Sequence, residues 1–220
     1  DEGDGTLHAI ATPGEVHEDA EDGSATENDM SFENSYTPKP VTYDVANGAL
    51  GGNKMVEDTA GSFKMENGQF TFKMRAQGKD NPMPDGLQDV TVDRNGYPIA
   101  SVKNENTDPG TYTAEYDFGT ITFEKSDMVN GVIDNGNGTL TKIFQYNIYE
   151  DETSMPAGVS PKNEGRTYTV TFTVTENQTT GTMSVEASAV LLNPGSAQNT
   201  PVEMGKIDFV NVYDPGSAIG

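Results

Sequence analysis

Three polar residues stand where strand alternation calls for apolar ones, and together they have the chemistry to make a covalent bond. In 206–215, Ile207, Phe209, Asn211 and Tyr213 share one face, while Lys206, Asp208, Val210 and Val212 share the other. Asn211 thus falls in the apolar phase, where a carboxamide without partners costs about 1–3 kcal/mol. In 139–150, Leu140, Lys142, Phe144, Tyr146, Ile148 and Glu150 form a second such row, which Glu150 ends at the edge of an apolar surface. Leu50, Lys54 and Val56 are in phase in the same way, so Lys54 directs its amine inward.

Burial lowers a lysine's pKa and raises a carboxyl's, each by up to about 3–5 units, because it disfavours both charged forms. The neutral amine is a nucleophile. A protonated carboxyl beside an asparagine can donate to the carboxamide oxygen and pass protons to leaving ammonia. The product is an isopeptide cross-link between Lys54, the nucleophile, and Asn211, the acceptor, with Glu150 as proton shuttle. It requires no metal, cofactor or histidine, and it happens once per molecule, so the chain is expected not to be an enzyme.

Each residue also has an ordinary reading. Lys54 follows Gly51-Gly52, and lysines are seldom fully buried, so a solvated loop lysine fits the same residues. Lys142 is a rival amine, in phase with Leu140 and Phe144. Glu150 reads equally as a strand-end carboxylate reaching solvent, and Asp151-Glu152 after it leave room for a one-residue slip. Asn211 as a satisfied structural amide is the plain alternative.

The elements that must position these residues are short strands. Alternation, with Gly, Asn, Asp and Pro between runs and no helical period, predicts strands near 41–46, 53–57, 69–75, 89–93, 97–102, 116–124, 139–150, 166–176, 181–192 and 206–213. In 166–176, Tyr168, Val170, Phe172 and Val174 face inward and a row of threonines outward; Phe70, Phe72 and Met74 do the same in 69–75. The result is an all-β sandwich.

The chain also repeats itself. Phe32, Asn34, Tyr36 and Pro38 recur as Phe209, Asn211, Tyr213 and Pro215 at a constant offset of 177, and Gly5-Thr6-Leu7 matches Gly181-Thr182-Met183. Residues 1–38 are therefore expected to be the last two strands of a preceding, incomplete repeat, loosely held or docked on a neighbour. Residues 39–40 are a stiff Pro-flanked linker, 41–214 the one main domain, and 215–220 a linker onward. Asn34 has no lysine before it and should be unlinked. Opening on Asp1-Glu2-Gly3-Asp4-Gly5 rather than methionine, the chain reads as a piece of something longer.

Composition removes other functions. Thirteen basic residues against 35 acidic ones give a net charge of −22, which repels nucleic acid and anionic membranes. With no cysteine there is no thiol chemistry and no disulfide; with histidines only at 8 and 17, none lies in the main domain. The residues show neither a signal-peptide pattern nor an apolar run of membrane-spanning length, which is uninformative in a chain that reads as a piece of something longer. Residues 1–5 and 134–138 have oxygen-rich spacing that fits calcium, though such runs are more often hairpin turns. The glycosylation-type triplets at Asn137 and Asn177 are formal only.

The succession Ala49-Leu50-Gly51-Gly52-Asn53-Lys54-Met55, Asn67-Gly68-Gln69-Phe70-Thr71-Phe72, Phe118-Gly119-Thr120-Ile121-Thr122-Phe123, Tyr146-Asn147-Ile148-Tyr149-Glu150 and Phe209-Val210-Asn211-Val212-Tyr213 resembles the pilin isopeptide-linkage domain of Gram-positive surface proteins. The resemblance covers about residues 41–214. It implies an Ig-like or reverse-Ig β-sandwich with additional short strands, with Lys54 as nucleophile, Asn211 as acceptor and Glu150 as catalytic carboxyl. It implies a stalk or pilus-shaft repeat outside the cell, cell-wall-anchored or pilus-borne, whose partners are neighbouring repeats and, for some such proteins, a host surface ligand. A fragment of this kind is expected to be monomeric. The rival reading is a binding module for glycan or host protein, with or without calcium and without a cross-link, marked by exposed aromatics near 104–116 or 151–165.

Overall fold

The computed structural model describes residues 5–12, 31–105 and 112–216, the first hairpin up to residue 35 as backbone alone. Its strands in chain order are β1 (Gly5–Thr12), β2 (Ser31–Pro38), β3 (Val41–Tyr43), β4 (Gly51–Glu57), β5 (Thr71–Ala76), β6 (Val90–Val92), β7 (Pro98–Lys103) and β8 (Thr113–Asp117). They continue as β9 (Ile121–Phe123), β10 (Ile133–Asp134), β11 (Thr139–Glu150), β12 (Val159–Pro161), β13 (Thr167–Asn177), β14 (Thr182–Leu191), β15 (Thr200–Val202) and β16 (Phe209–Tyr213). Helical structure among the described residues is confined to three-residue 3-10 turns, and none is long and apolar enough to cross a membrane.

The strands form an all-β sandwich. The larger sheet runs β15-β14-β13-β11-β5-β7-β6, with β10 on β11; the smaller runs β12-β16-β4-β8. Alternation explains the facing: the in-phase residues Phe144, Tyr146, Ile148 of β11 and Tyr168, Val170, Phe172, Val174 of β13 are buried. Aromatic rings tie the sheets together. Phe72 of β5 stacks on Tyr116 of β8 at 3.8 Å between ring centroids, and Phe209 of β16 meets Tyr168 of β13 edge-on at 5.4 Å.

Within the small sheet the pair that matters is β4 with β16, which are parallel, Phe209 opposite Lys54 and Asn211 opposite Val56. Parallel neighbours need a crossover, and here most of the domain is that crossover. Early and late strands of the domain therefore lie side by side, pointing the same way.

Three differences from the sequence expectation have local causes. The run 116–124 is two strands, because Gly119 turns the chain at φ 82° with its N–H donated to the Asp117 carboxylate at 2.8 Å. The last strand begins at Phe209, not 206. Before it, Ile207 and Asp208 are held by side chains: Tyr116 Oη donates to the Ile207 carbonyl and Tyr168 Oη to that of Asp208, both at 2.6 Å. The short strands β10, β12 and β15 carry too few residues for a period to show. In β10–β11 the oxygen-rich run 134–138 is a hairpin turn, with the Asp134 carboxylate accepting the Gly136 N–H at 2.9 Å.

The glycines before Lys54 are not a loop. Gly51 and Gly52 open β4, where a Cβ on Gly52 would lie 2.5 Å from the Ile207 carbonyl oxygen and one on Gly51 would overlap that of Tyr116. They let β4 approach β8 and the entry to β16 closely enough to bury Lys54. Gly52→Ala should lower stability by about 1–3 kcal/mol through overpacking against backbone. A denaturant midpoint equal to that of the parent protein would show that the close approach is unimportant.

Candidate functional site

Lys54, Glu150 and Asn211 meet between the sheets. β4 carries Lys54 and β16 carries Asn211 on the same face of the small sheet, while β11 brings the last residue of its inward row, Glu150, from the opposite sheet. Lys54 and Asn211 are 0% exposed and Glu150 7%. The Lys54 ammonium lies 2.9 Å from Glu150 Oε1 and donates to Oε2 at 3.1 Å. Asn211 Nδ2 donates to the same Oε1 at 3.2 Å. One carboxylate oxygen thus holds both nitrogens.

The surroundings are apolar. The Lys54 amine sits 4.6 Å above the centre of the Phe70 ring, and Met155 Sδ lies 3.6 Å from Asn211 Nδ2. Phe63, from the segment between β4 and β5, covers this end by packing on Phe70 and Tyr213. That segment is folded rather than slack: the Asp58 carboxylate accepts the N–H groups of Phe63 and Ser62 at 2.6 Å each and of Ala60 at 2.9 Å. Among the described residues nothing donates to Asn211 Oδ1, although it is buried.

Water exclusion shifts both titrating groups toward neutrality. Burial pulls the Lys54 amine down to about 8 from 10.5, against the opposing pull of Glu150, whose negative charge and hydrogen bond favour the ammonium. Burial pushes the Glu150 carboxyl up, against the charge of Lys54 and the hydrogen bonds from Lys54 and Asn211. Both shifts raise the share of the neutral forms at neutral pH. Moving one proton from Lys54 to Glu150 leaves an amine and a carboxylic acid in contact with a carboxamide.

The remaining candidates lie elsewhere. Lys142 is in phase, but it is eight residues before Glu150 on β11, about 26 Å along the strand. Its ammonium donates to the carbonyls of Asp127 and Val129 at 2.6 Å each. His17 lies outside the described residues, as do residues 1–4 of the first oxygen-rich run, and of His8 and Asn34 only the backbone is described. Among the described residues no group of three or more acidic or histidine side chains could hold a metal. For the binding-module reading, 151–165 contains no aromatic residue, and in the described part of 104–116 Tyr112 is exposed while Tyr116 is buried.

The family model for the Spy0128-like isopeptide containing domain, FctA, matches residues 50–214. The chain belongs to this family. No curated protein matches it. The matched span begins just before β4 and ends just after β16, so it holds all three clustered residues. An FctA domain is a pilin-type structural domain.

Sequence reasoning missed two supports of this FctA site. Met155 follows the 3-10 turn Glu152–Ser154, and no periodicity marks it. Asn104 is buried: its Oδ1 accepts the Phe70 N–H at 2.7 Å and its Nδ2 donates to the Glu66 carbonyl at 2.9 Å, fixing the ring beneath Lys54. Its signal was another polar residue beside a strand end, too common to single out. Asn104→Ala should cost about 1–3 kcal/mol by stranding those backbone groups. Thermal or urea unfolding measures it, and an unchanged midpoint would mean that Phe70 is held by other contacts.

Proposed function

We propose that the domain is a structural repeat of a Gram-positive surface stalk or pilus shaft, locked by a Lys54–Asn211 isopeptide bond that it makes itself. The observation that carries this reading is the single Glu150 oxygen within hydrogen-bond reach of both the Lys54 amine and the Asn211 amide, in a buried site. Residues 41–214 are the cross-linked unit, 1–38 the end of a preceding repeat, 39–40 and 215–220 the connectors. Its place is outside the cell.

The reaction starts with proton transfer from Lys54 to Glu150. The neutral Nζ adds to Asn211 Cγ as the protonated Glu150 donates to Oδ1, the acceptor that is otherwise unsatisfied; a half-turn of the carboxamide brings that oxygen to Glu150. Glu150 then moves one proton from Nζ to Nδ2 and the Cγ–Nδ2 bond breaks; as the carbonyl re-forms, the Oδ1 proton returns to Glu150, and the departing ammonia carries it away as ammonium. An N–C amide forms, a C–N amide is lost, and Glu150 ends as it began. No oxidant, metal or cofactor enters the balance.

The bond closes a loop from residue 54 to residue 211, which by loop-closure entropy stabilises by about 5 kcal/mol. Its mechanical effect is larger in consequence. Because β4 and β16 are parallel neighbours near the two ends of the domain, a pull on the chain passes through the bond and bypasses the intervening strands.

Intact mass tests this directly: the mature chain should be lighter by about 17 Da, the mass of ammonia. Glu150→Ala, Lys54→Ala and Asn211→Ala should each restore the full mass, and Glu150→Ala keeping the lighter mass would remove Glu150 from the mechanism. Bond formation in freshly synthesised chain should depend on pH on both sides. The reactive state carries one proton on the pair, so the rate should fall below Glu150's raised value, where both groups are protonated, and above the Lys54 value of about 8, where the pair gives up its last proton. A rate that climbs without limit into alkali would indicate an amine acting without an acid.

A further inference from the structure

The hairpin of β1 and β2 meets the large sheet through Tyr36. Its ring lies against Gly181, in the turn between β13 and β14: a Cβ on that glycine would overlap Tyr36 Cε2 and stand 2.7 Å from its hydroxyl. Gly181 takes φ 74° and donates its N–H to the Asn177 carbonyl at 2.8 Å, so a bare, turned backbone forms the notch. The Tyr36 hydroxyl is buried there with no hydrogen-bond partner among the described residues. Beside it, burial and the charge of Glu176 push the phenol's pKa up. Glu176 is itself buried, continues the inward row of β13 and pairs with Lys125 at 2.5 Å.

Both halves of this contact recur in the sequence. Tyr36 stands two residues before Pro38 as Tyr213 stands two before Pro215, and Gly181-Thr182-Met183 has its counterpart in Gly5-Thr6-Leu7. Each unit therefore owns a tyrosine on its last strand and a glycine at the head of an earlier one. We propose that Tyr36 on Gly181 is the joint between successive units: the terminal-strand tyrosine of one seats in the glycine notch of the next. This rests on the tandem-repeat reading, and not on the cross-link.

Such a contact is head to tail. Unlike a two-fold interface, it does not consume its own surface, so it extends along a chain without closing. Tyr213 fits the donor role for a following unit, since it is only half-buried, with one side on Phe63 at 5.1 Å. The short Thr37-Pro38-Lys39-Pro40 connector limits how far the ring can leave the notch.

The full chain tests this by nuclear magnetic resonance with Tyr36→Ala and Tyr36→Phe; alanine at position 181 is less clean, because its positive φ strains any side chain. In the parent, the Gly181 α-protons should be displaced by the aromatic ring current. Tyr36→Phe should keep that displacement and Tyr36→Ala should lose it, with the amide {1H}–15N NOE values of 31–38 falling while those of 167–177 hold. Gly181 resonances or hairpin NOE values unchanged in Tyr36→Ala would overturn the joint. Intact mass, read on the same samples, reports the cross-link separately.

Discussion

Water exclusion around one carboxylate is the constraint on which the rest depends. A buried lysine–glutamate pair is a poor way to stabilise a fold, since the desolvation of two charges commonly exceeds their attraction. The same desolvation makes the neutral pair accessible, and a neutral amine against a carboxamide is a reactant. Residues that would be a liability as a permanent ion pair make sense as the precursor of an amide, which carries no charge to bury.

Holding that arrangement takes both sheets. Glycines at 51 and 52 draw β4 close to its neighbours, and hydroxyls of Tyr116 and Tyr168 anchor the backbone just before β16. The Asp208 carboxylate accepts the Asn53 N–H at 2.7 Å, aligning the two strands next to the reacting side chains. Stacked rings then fix the spacing between sheets, so Glu150 arrives from β11 within reach of both partners. The 3-10 turn after β11 and the folded segment before β5 close the remaining sides with Met155 and Phe63.

The connection of the chain matters as much as its packing. Placing an early and a late strand side by side in parallel makes the domain one large crossover, so the proposed covalent link between them would join its two ends. The hairpin ahead of it repeats that last strand, and its tyrosine reaches a glycine on the far sheet. In the proposed stalk, a covalent lock inside each unit and a ring-in-notch contact between units would meet complementary demands of a filament under load.

Strand alternation is a period-two property of neighbouring residues, so the sequence by itself determined the long strands β11, β13 and β14, their inward rows, and the intrusion of Lys54, Glu150 and Asn211 into those rows. It also showed Phe32, Asn34, Tyr36 and Pro38 recurring at an offset of 177, because that needs only residue identity. It left open whether Lys54 or Lys142 was the amine, since both are in phase, and it allowed Gly51-Gly52 to be a loop. Only the tertiary structure shows where each stands: Gly51 and Gly52 are strand, the parallel register of β4 and β16 sets Lys54 beside Asn211, and β11 carries Lys142 to its far end. Phase along one strand says which way a side chain points, and nothing about which strand from the other sheet stands opposite; that is decided by packing between sheets, which no local pattern encodes.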